Sequence, residues 1–297
     1  MEQINTTSNK PAIKQAWLRI LLFVLAFLFV YILAQGFSLL VTSQVFGVNI
    51  MDQAQTSLEN SNLMLIKSIS ELIVLGFMVL LTFVFRKYID RKSFVSMGYS
   101  IKGRYIDILM GISVGFVLIS LGFFILKFAG HLNVESIIFN TNIVSYSFIF
   151  FFFAAMIEEI IFRGYILNNL LSSMKNKYLA LSISAVLFAL IHGLNPNLSI
   201  LSMVNLFIAG LALGITYVYT KNLWFPIFLH VSWNYFQGPI FGFEVSGMDT
   251  VSIINQKVTG SDIITGGEFG FEGSIILTAL LFGMIIITDF IYRKRVQ

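Results

Sequence analysis

The chain contains no cysteine, which removes disulfides, thiolate zinc sites, iron–sulfur ligation and a cysteine nucleophile from consideration. Charge is scarce too: 11% of the 297 residues are charged, 57% are hydrophobic and the mean hydropathy is +0.85. Those values lie outside the range of a soluble globular domain. The chain shows no internal repeat, low-complexity tract or soluble domain. Three signatures of intramembrane proteolysis are missing as well: His-Glu-x-x-His, Gly-x-Gly-Asp and Gly-x-Ser-Gly. A net charge of +4 does not imply a nucleic-acid partner, because the cations sit in short loops between apolar runs, where membrane topology accounts for them.

What the sequence has in abundance is long apolar runs. About 20 such residues cross a bilayer, so the sequence predicts an all-α fold, a polytopic membrane helix bundle of about eight transmembrane helices. They are expected near Arg19 to Val41, Leu63 to Phe85, Ile106 to Phe128, Val144 to Leu167, Leu179 to Ile191, Leu198 to Tyr219, Leu223 to Phe243 and Ser274 to Tyr292. The first run exceeds the roughly 7 to 15 residues of a signal-peptide core and reads as a retained anchor.

Lys and Arg fall in alternate loops. Lys10 and Lys14 precede the first run, Arg86 to Arg104 is a basic loop after the second, Lys175 and Lys177 follow the fourth, Lys221 the sixth and Arg293 to Arg295 the last. The other loops hold Asp52 and Glu59, then Glu135, then a Gly-rich acidic stretch, Glu244 to Gly273, whose one cation is Lys257. The positive-inside rule then puts both termini in the cytoplasm. The abundance of Ile, Phe, Lys and Asn with only four prolines fits an AT-rich bacterial genome, hence a bacterial cytoplasmic membrane. Three regions follow: 1–143 with three helices, 144–243 with the polar cluster, and 244–297 with the acidic loop and last helix.

Ionisable groups at bilayer depth cost roughly 2.5 to 3.5 kcal/mol each on insertion scales, so a cluster of them marks a functional site. This chain has one, made of Glu158, Glu159, Arg163, His192, His230 and Asn234. Adjacent helical residues point about 100° apart, so the two acids serve different ends. Arg163 follows Glu159 by four residues, the spacing of a same-face ion pair, leaving Glu158 to face a cavity. His230 and Asn234, also four apart, share a face as paired donors suited to an oxyanion. Phe188 lies one turn before His192 and walls the site. At about 1.5 Å per residue, these groups lie roughly 10 to 20 Å in from the basic ends, a spread that helix tilt or a broken fifth span has to close. Two other pairs, Lys67 with Glu71 and Asp289 with Arg293, read as structural and as solvated respectively. His131 reads as an exposed loop residue.

Glu158-Glu159-x-x-x-Arg163, Phe188-x-x-x-His192 and His230-x-x-x-Asn234, in this order on separate helices, resemble the three motifs of the CPBP family. That family groups type II CAAX prenyl proteases with bacteriocin-processing and self-immunity proteins. The likeness covers Val144 to Phe243, and the loop Gly266 to Gly273 resembles a segment before the last helix in some bacterial members. The resemblance implies an intramembrane endopeptidase acting on a peptide or membrane-protein substrate within the lipid bilayer. Glu158 would activate water, His192 share it, His230 and Asn234 stabilise the oxyanion, and Glu159 with Arg163 support the site. No cofactor is expected. The alternative is zinc on Glu158, His192 and His230, with an open position for water. Two other functions compete: a catalytically silent immunity or peptide-binding membrane protein, and an ion-coupled transporter.

Overall fold

The structure, a computed structural model, describes residues 10–47 and 60–296; Asp52 and Glu59 lie outside the described residues. α1 (Ala16–Phe46) ends at Gly47 in the left-handed conformation, a common way to close a helix. α2 (Asn60–Val84) runs on through a π turn, Phe85–Ile89, and a short 3₁₀ turn, Phe94–Met97, leads to α3 (Tyr105–Phe128). α4 (Thr141–Glu159) begins where the Asn140 side chain accepts the backbone N–H groups of Asn142 and Ile143. It continues without a break through a π segment, Ile160–Leu167, into α5 (Asn168–Ser173). α6 (Lys177–Ile191) is capped in the same manner by Asn176, and Ser199 and Ser202 form a capping box at α7 (Ile200–Thr220). α8 (Trp224–Tyr235), the short α9 (Asp262–Thr265) and α10 (Ile275–Val296) complete the helices.

Seven segments among the described residues are long and apolar enough to cross a membrane, not eight. The chain is a polytopic helical bundle, and an integral membrane protein. The expected span Leu223 to Phe243 is the exception: α8 has twelve residues and closes in a five-residue π turn, Phe236–Ile240, that contains Pro239. Nine of those twelve residues are buried, so its apolar side chains face protein instead of lipid. Composition does not separate the two surroundings, since lipid tails are as apolar as leucine.

α8 is seated by small residues on α3. A Cβ on Gly111 would meet the backbone of Phe225 and Leu229, and one on Gly115 would meet Leu229 and Ser232. Two glycines four apart thus let two helix backbones touch, the small-residue contact that serves in membranes. Ser232 Oγ fastens it by donating to the Ile112 carbonyl at 2.7 Å.

Opposite the basic ends, β1 (Leu132–Ile137) and β2 (Ile254–Val258) form a two-stranded antiparallel ladder, with an irregularity at Val134/Ser136. It ties the acidic loop to the approach to α4, and the apolar-run reading does not foresee it. His131 is half-buried beside it and donates from Nδ1 to the Thr259 carbonyl at 3.0 Å.

Two further expectations change. The basic stretch from Arg86 is partly folded, because Arg86 is buried and bonds Asp90 at 3.0 Å, which Arg19 also meets at 2.8 Å. Lys67 and Glu71 form no ion pair; Glu71 lines a cavity instead. Asp289 and Arg293 do pair, at 2.7 Å, and the hydroxyls of Tyr178 and Tyr219 add to Asp289.

Candidate active site

The π segment begins directly after Glu159, and all eight of its residues are buried. Such wide turns recur at functional positions because they break the regular register of a helix. Here Glu159 and Arg163 come out on the buried side. Glu159 Oε1 accepts from the Arg163 guanidinium at 2.7 Å and from His230 Nδ1 at 2.9 Å. Arg163 also donates to the Gly210 carbonyl at 3.1 Å, and its guanidinium lies 4.6 Å from the centre of the Phe188 ring. Glu159 thus orients two partners, the second of which the four-residue spacing gave no sign of.

Glu158 points the other way, into a cavity of about 450 Å³ bounded by α1, α2, α4, α6, α7 and α8. Its side chain is 28% exposed against 0% for Glu159. Oε2 of Glu158 is buried and has no hydrogen-bond partner. It lies 3.8 Å from His192 Nε2 and 3.9 Å from His230 Nε2, beyond direct hydrogen bonding and within the reach of a shared water.

Both imidazoles are fixed through Nδ1. His192 sits in the 3₁₀ turn that ends α6, and its Nδ1 is 2.8 Å from the Phe188 carbonyl. A carbonyl only accepts, so Nδ1 carries the proton and the neutral ring turns an Nε2 lone pair toward Glu158. His230, with Nδ1–H on Glu159, does the same. Its only proton in the neutral form is therefore spent on Glu159, so Nε2 donates to an oxyanion only when the ring is protonated. Asn234 lines the cavity one turn further along α8.

The cavity wall also carries Tyr31, Asn195, Ser246 and Glu272, none of them singled out from the sequence, and Glu71, which the sequence reading placed in a structural pair. Glu272 is buried; its Oε2 accepts from both Ser246 N–H and Ser246 Oγ, each at 2.7 Å, while Oε1 accepts from Trp233 Nε1 at 3.1 Å. Burial pushes its carboxyl above the usual range, and the Ser246 bonds pull against that. It reaches the cavity because the loop before α10 folds tightly on itself. At Gly270, φ is +85° and a Cβ would collide with the Glu244 carbonyl. For Glu71 a signal existed, since it is an acid inside an apolar run, as Glu158 is.

A divalent cation would meet a donor set that fits it only in part. Both Nε2 lone pairs suit one, with Glu159 and the Phe188 carbonyl holding Nδ1 in the usual outer-shell manner. The spacing does not. Neighbouring ligands on tetrahedral zinc, at about 2.0 Å from the metal, stand roughly 3.3 Å apart, less than either separation from Glu158. No group of three His, Cys, Asp or Glu among the described residues is arranged to hold a metal ion.

No curated protein and no solved structure matches the chain. Residues 140–236, from the cap of α4 to the end of α8, match the family model described as type II CAAX prenyl endopeptidase Rce1-like. That segment contains every residue of the three motifs. This segment is therefore similar to that family, consistent with the CPBP resemblance, and the match supports a protease function in general terms.

Proposed function

We propose that the chain is an intramembrane endopeptidase that hydrolyses a peptide bond of a membrane-embedded or lipidated peptide or protein, with Glu158 as the base that activates water. The observation that carries the proposal is the partnerless Glu158 Oε2 facing Nε2 of both imidazoles inside an apolar cavity. A water held there donates a hydrogen bond to His192 Nε2 and gives its other proton to Glu158, and the hydroxide so formed adds to the carbonyl carbon. Glu158 then returns its proton to the departing amine, so the proton count closes within the site. The Asn234 amide donates to the tetrahedral oxyanion. His230 joins it as an imidazolium, whose charge Glu159 offsets through Nδ1–H, as a carboxylate does behind a catalytic imidazole.

No step is routed through a metal. The exposed residues around the cavity point to the direction of approach: Leu194 is 98% exposed, Ile32 70% and Met248 53%. Leu194 and Met248 belong to the ends opposite the basic loops, and Ile32 lies on the lipid face of α1. α8 and its π turn, though too short to count as a lipid-facing span, still lead from Lys221 at the basic end to the loop that pairs with β1. The basic ends and both termini therefore share the cytoplasmic side of a bacterial membrane, and the substrate slides in from the bilayer and presents its bond from the outer half.

The test is turnover of a quenched fluorescent peptide library by the purified full-length protein in detergent, beside Glu158→Gln and with a strong chelator. Cleavage by the parent alone, unchanged by the chelator, is the expected result. Cleavage by Glu158→Gln at the parent rate would sink the mechanism, and loss in the chelator would assign the imidazoles to a metal.

A further inference from the structure

A second cavity, also about 450 Å³, opens at the basic end of the bundle, where α2, α5 and α7 finish. It lies along the α4–α5 rod about ten residues past Glu158, roughly 15 Å at helical rise, and shares no lining residue with the first. Arg86 is buried in its wall. One terminal nitrogen of that guanidinium bonds Asp90 and the other Ser96 Oγ, while Nε is buried with no partner. Exposed Lys92 and Lys221 flank it, with the hydroxyls of Ser93, Ser96 and Ser172 between them.

No acid lines this pocket. Asp90, the nearest, is already shared by Arg19, Arg86 and Asn169. Lys92 and Lys221 make no salt bridge and no side-chain hydrogen bond among the described residues. Burial lowers both ammonium groups from the ordinary lysine value, Lys221 to about 8, with Arg86 and Lys177 respectively adding repulsion. Lys221 also holds the left-handed position after α7, with φ +51°, a place that glycine fills with less strain. Lys92 and Lys221, with no anion of their own and with the Ser93 hydroxyl and the unpartnered Arg86 Nε beside them, match a phosphate in charge and in hydrogen bonding.

We propose that this pocket binds the phosphate of an anionic headgroup at the boundary between lipid and water. The helix ends that build it stand at headgroup depth, and Leu171 gives it one apolar wall beside the acyl region. The polar remainder takes the phosphate.

The test is lipid retention by the full-length protein in nanodiscs of phosphatidylglycerol or of phosphatidylcholine, read by native mass spectrometry. The variants are Lys92→Gln with Lys221→Gln, and a charge-matched control of Lys87→Gln with Lys102→Gln outside the pocket. All four lysines are exposed, so each variant folds. The parent is expected to retain phosphatidylglycerol over phosphatidylcholine. Loss of two charge-assisted contacts to one phosphate should weaken that retention about tenfold or more in the pocket variant, and several-fold more than in the control, which gives up only the general attraction of surface cations. Competition by inorganic phosphate separates the sources: displacement of the lipid means that the phosphate group alone fills the pocket, and persistence means that the intact lipid is the ligand. Equal loss in pocket variant and control, or equal retention of the two lipids by the parent, would overturn the proposal.

Discussion

Asp90 and Glu158 are both carboxylates inside the helix bundle, and their surroundings are opposites. Asp90 has both oxygens engaged, Oδ1 by Arg19 and Oδ2 by Arg86 and Asn169, and it is wholly buried. Glu158 has an oxygen with no partner and a cavity in front of it. A carboxylate whose oxygens are all bonded is locked in one state and holds helices together. One that is held apart from the nearest imidazole nitrogens by 3.8 and 3.9 Å is free to take a proton. Neither burial nor a partnerless oxygen marks chemical charge by itself, since Glu159 is as buried as Asp90 and its Oε2 also lacks a partner; what sets Glu158 apart is the cavity in front of it.

Exchanging charge for amide at each position tests that contrast. Glu158→Gln is expected to cost the most activity, on the order of a hundred- to ten-thousandfold, with a thermal midpoint in detergent close to the parent's. His192→Ala should behave likewise. Asp90→Asn should do the reverse: removing one partner of a buried ion cluster costs about 3 to 5 kcal/mol, seen as a lowered melting temperature, while turnover per folded molecule stays near the parent's. Arg163→Ala falls between the two, losing both, because it unpairs Glu159 and through it releases His230. Asn234→Ala should leave a measurable residue of activity, since a single oxyanion donor contributes about a hundred- to a thousandfold; single-turnover kinetics would resolve it, and an unchanged rate would remove Asn234 from the oxyanion site.

The smallest effect sharpens the basic side of the comparison. An amine with its pKa near 8, as at Lys221, is about half deprotonated at pH 8, whereas an ordinary lysine near 10.4 is deprotonated by well under about 1%. An amine-directed label read by peptide mass spectrometry at pH 8 should therefore modify Lys221 well ahead of Lys87. Equal labelling would place Lys221 in ordinary solvent.

Much of this was legible in the sequence, and the reason lies in helix geometry. The 100° step between Glu158 and Glu159 and the four-residue spacings place side chains without any knowledge of neighbouring helices. What stayed hidden needed those neighbours. The bond from His230 to Glu159 joins α8 to α4 across 71 positions, and Glu272 arrives from a loop whose path is set by glycine turns. α8 reads as a lipid-facing span because hydropathy records apolar side chains without recording what they touch. Arg19 and Arg86 look like solvated interface cations for the same reason, since counting charges by loop does not reveal that Asp90 binds both.

The wide turn at Ile160–Leu167 makes the rod from α4 to α5 behave as a keyed shaft. Its catalytic half carries Glu158 and Glu159, and its other half carries Asn169, which grips Asp90. A π turn accommodates one residue more than the α-helical turn it replaces, so that extra residue sets the rotational phase between the halves. Deleting one residue there would close the wide turn and keep the halves in phase, whereas relaxation to regular α-helix at full length would turn one half by about 100° relative to the other. Either the acids would leave the cavity or Asn169 would leave Asp90. The packing that keeps this turn wide is thus what holds the acids in the cavity and Asn169 on Asp90 at the same time.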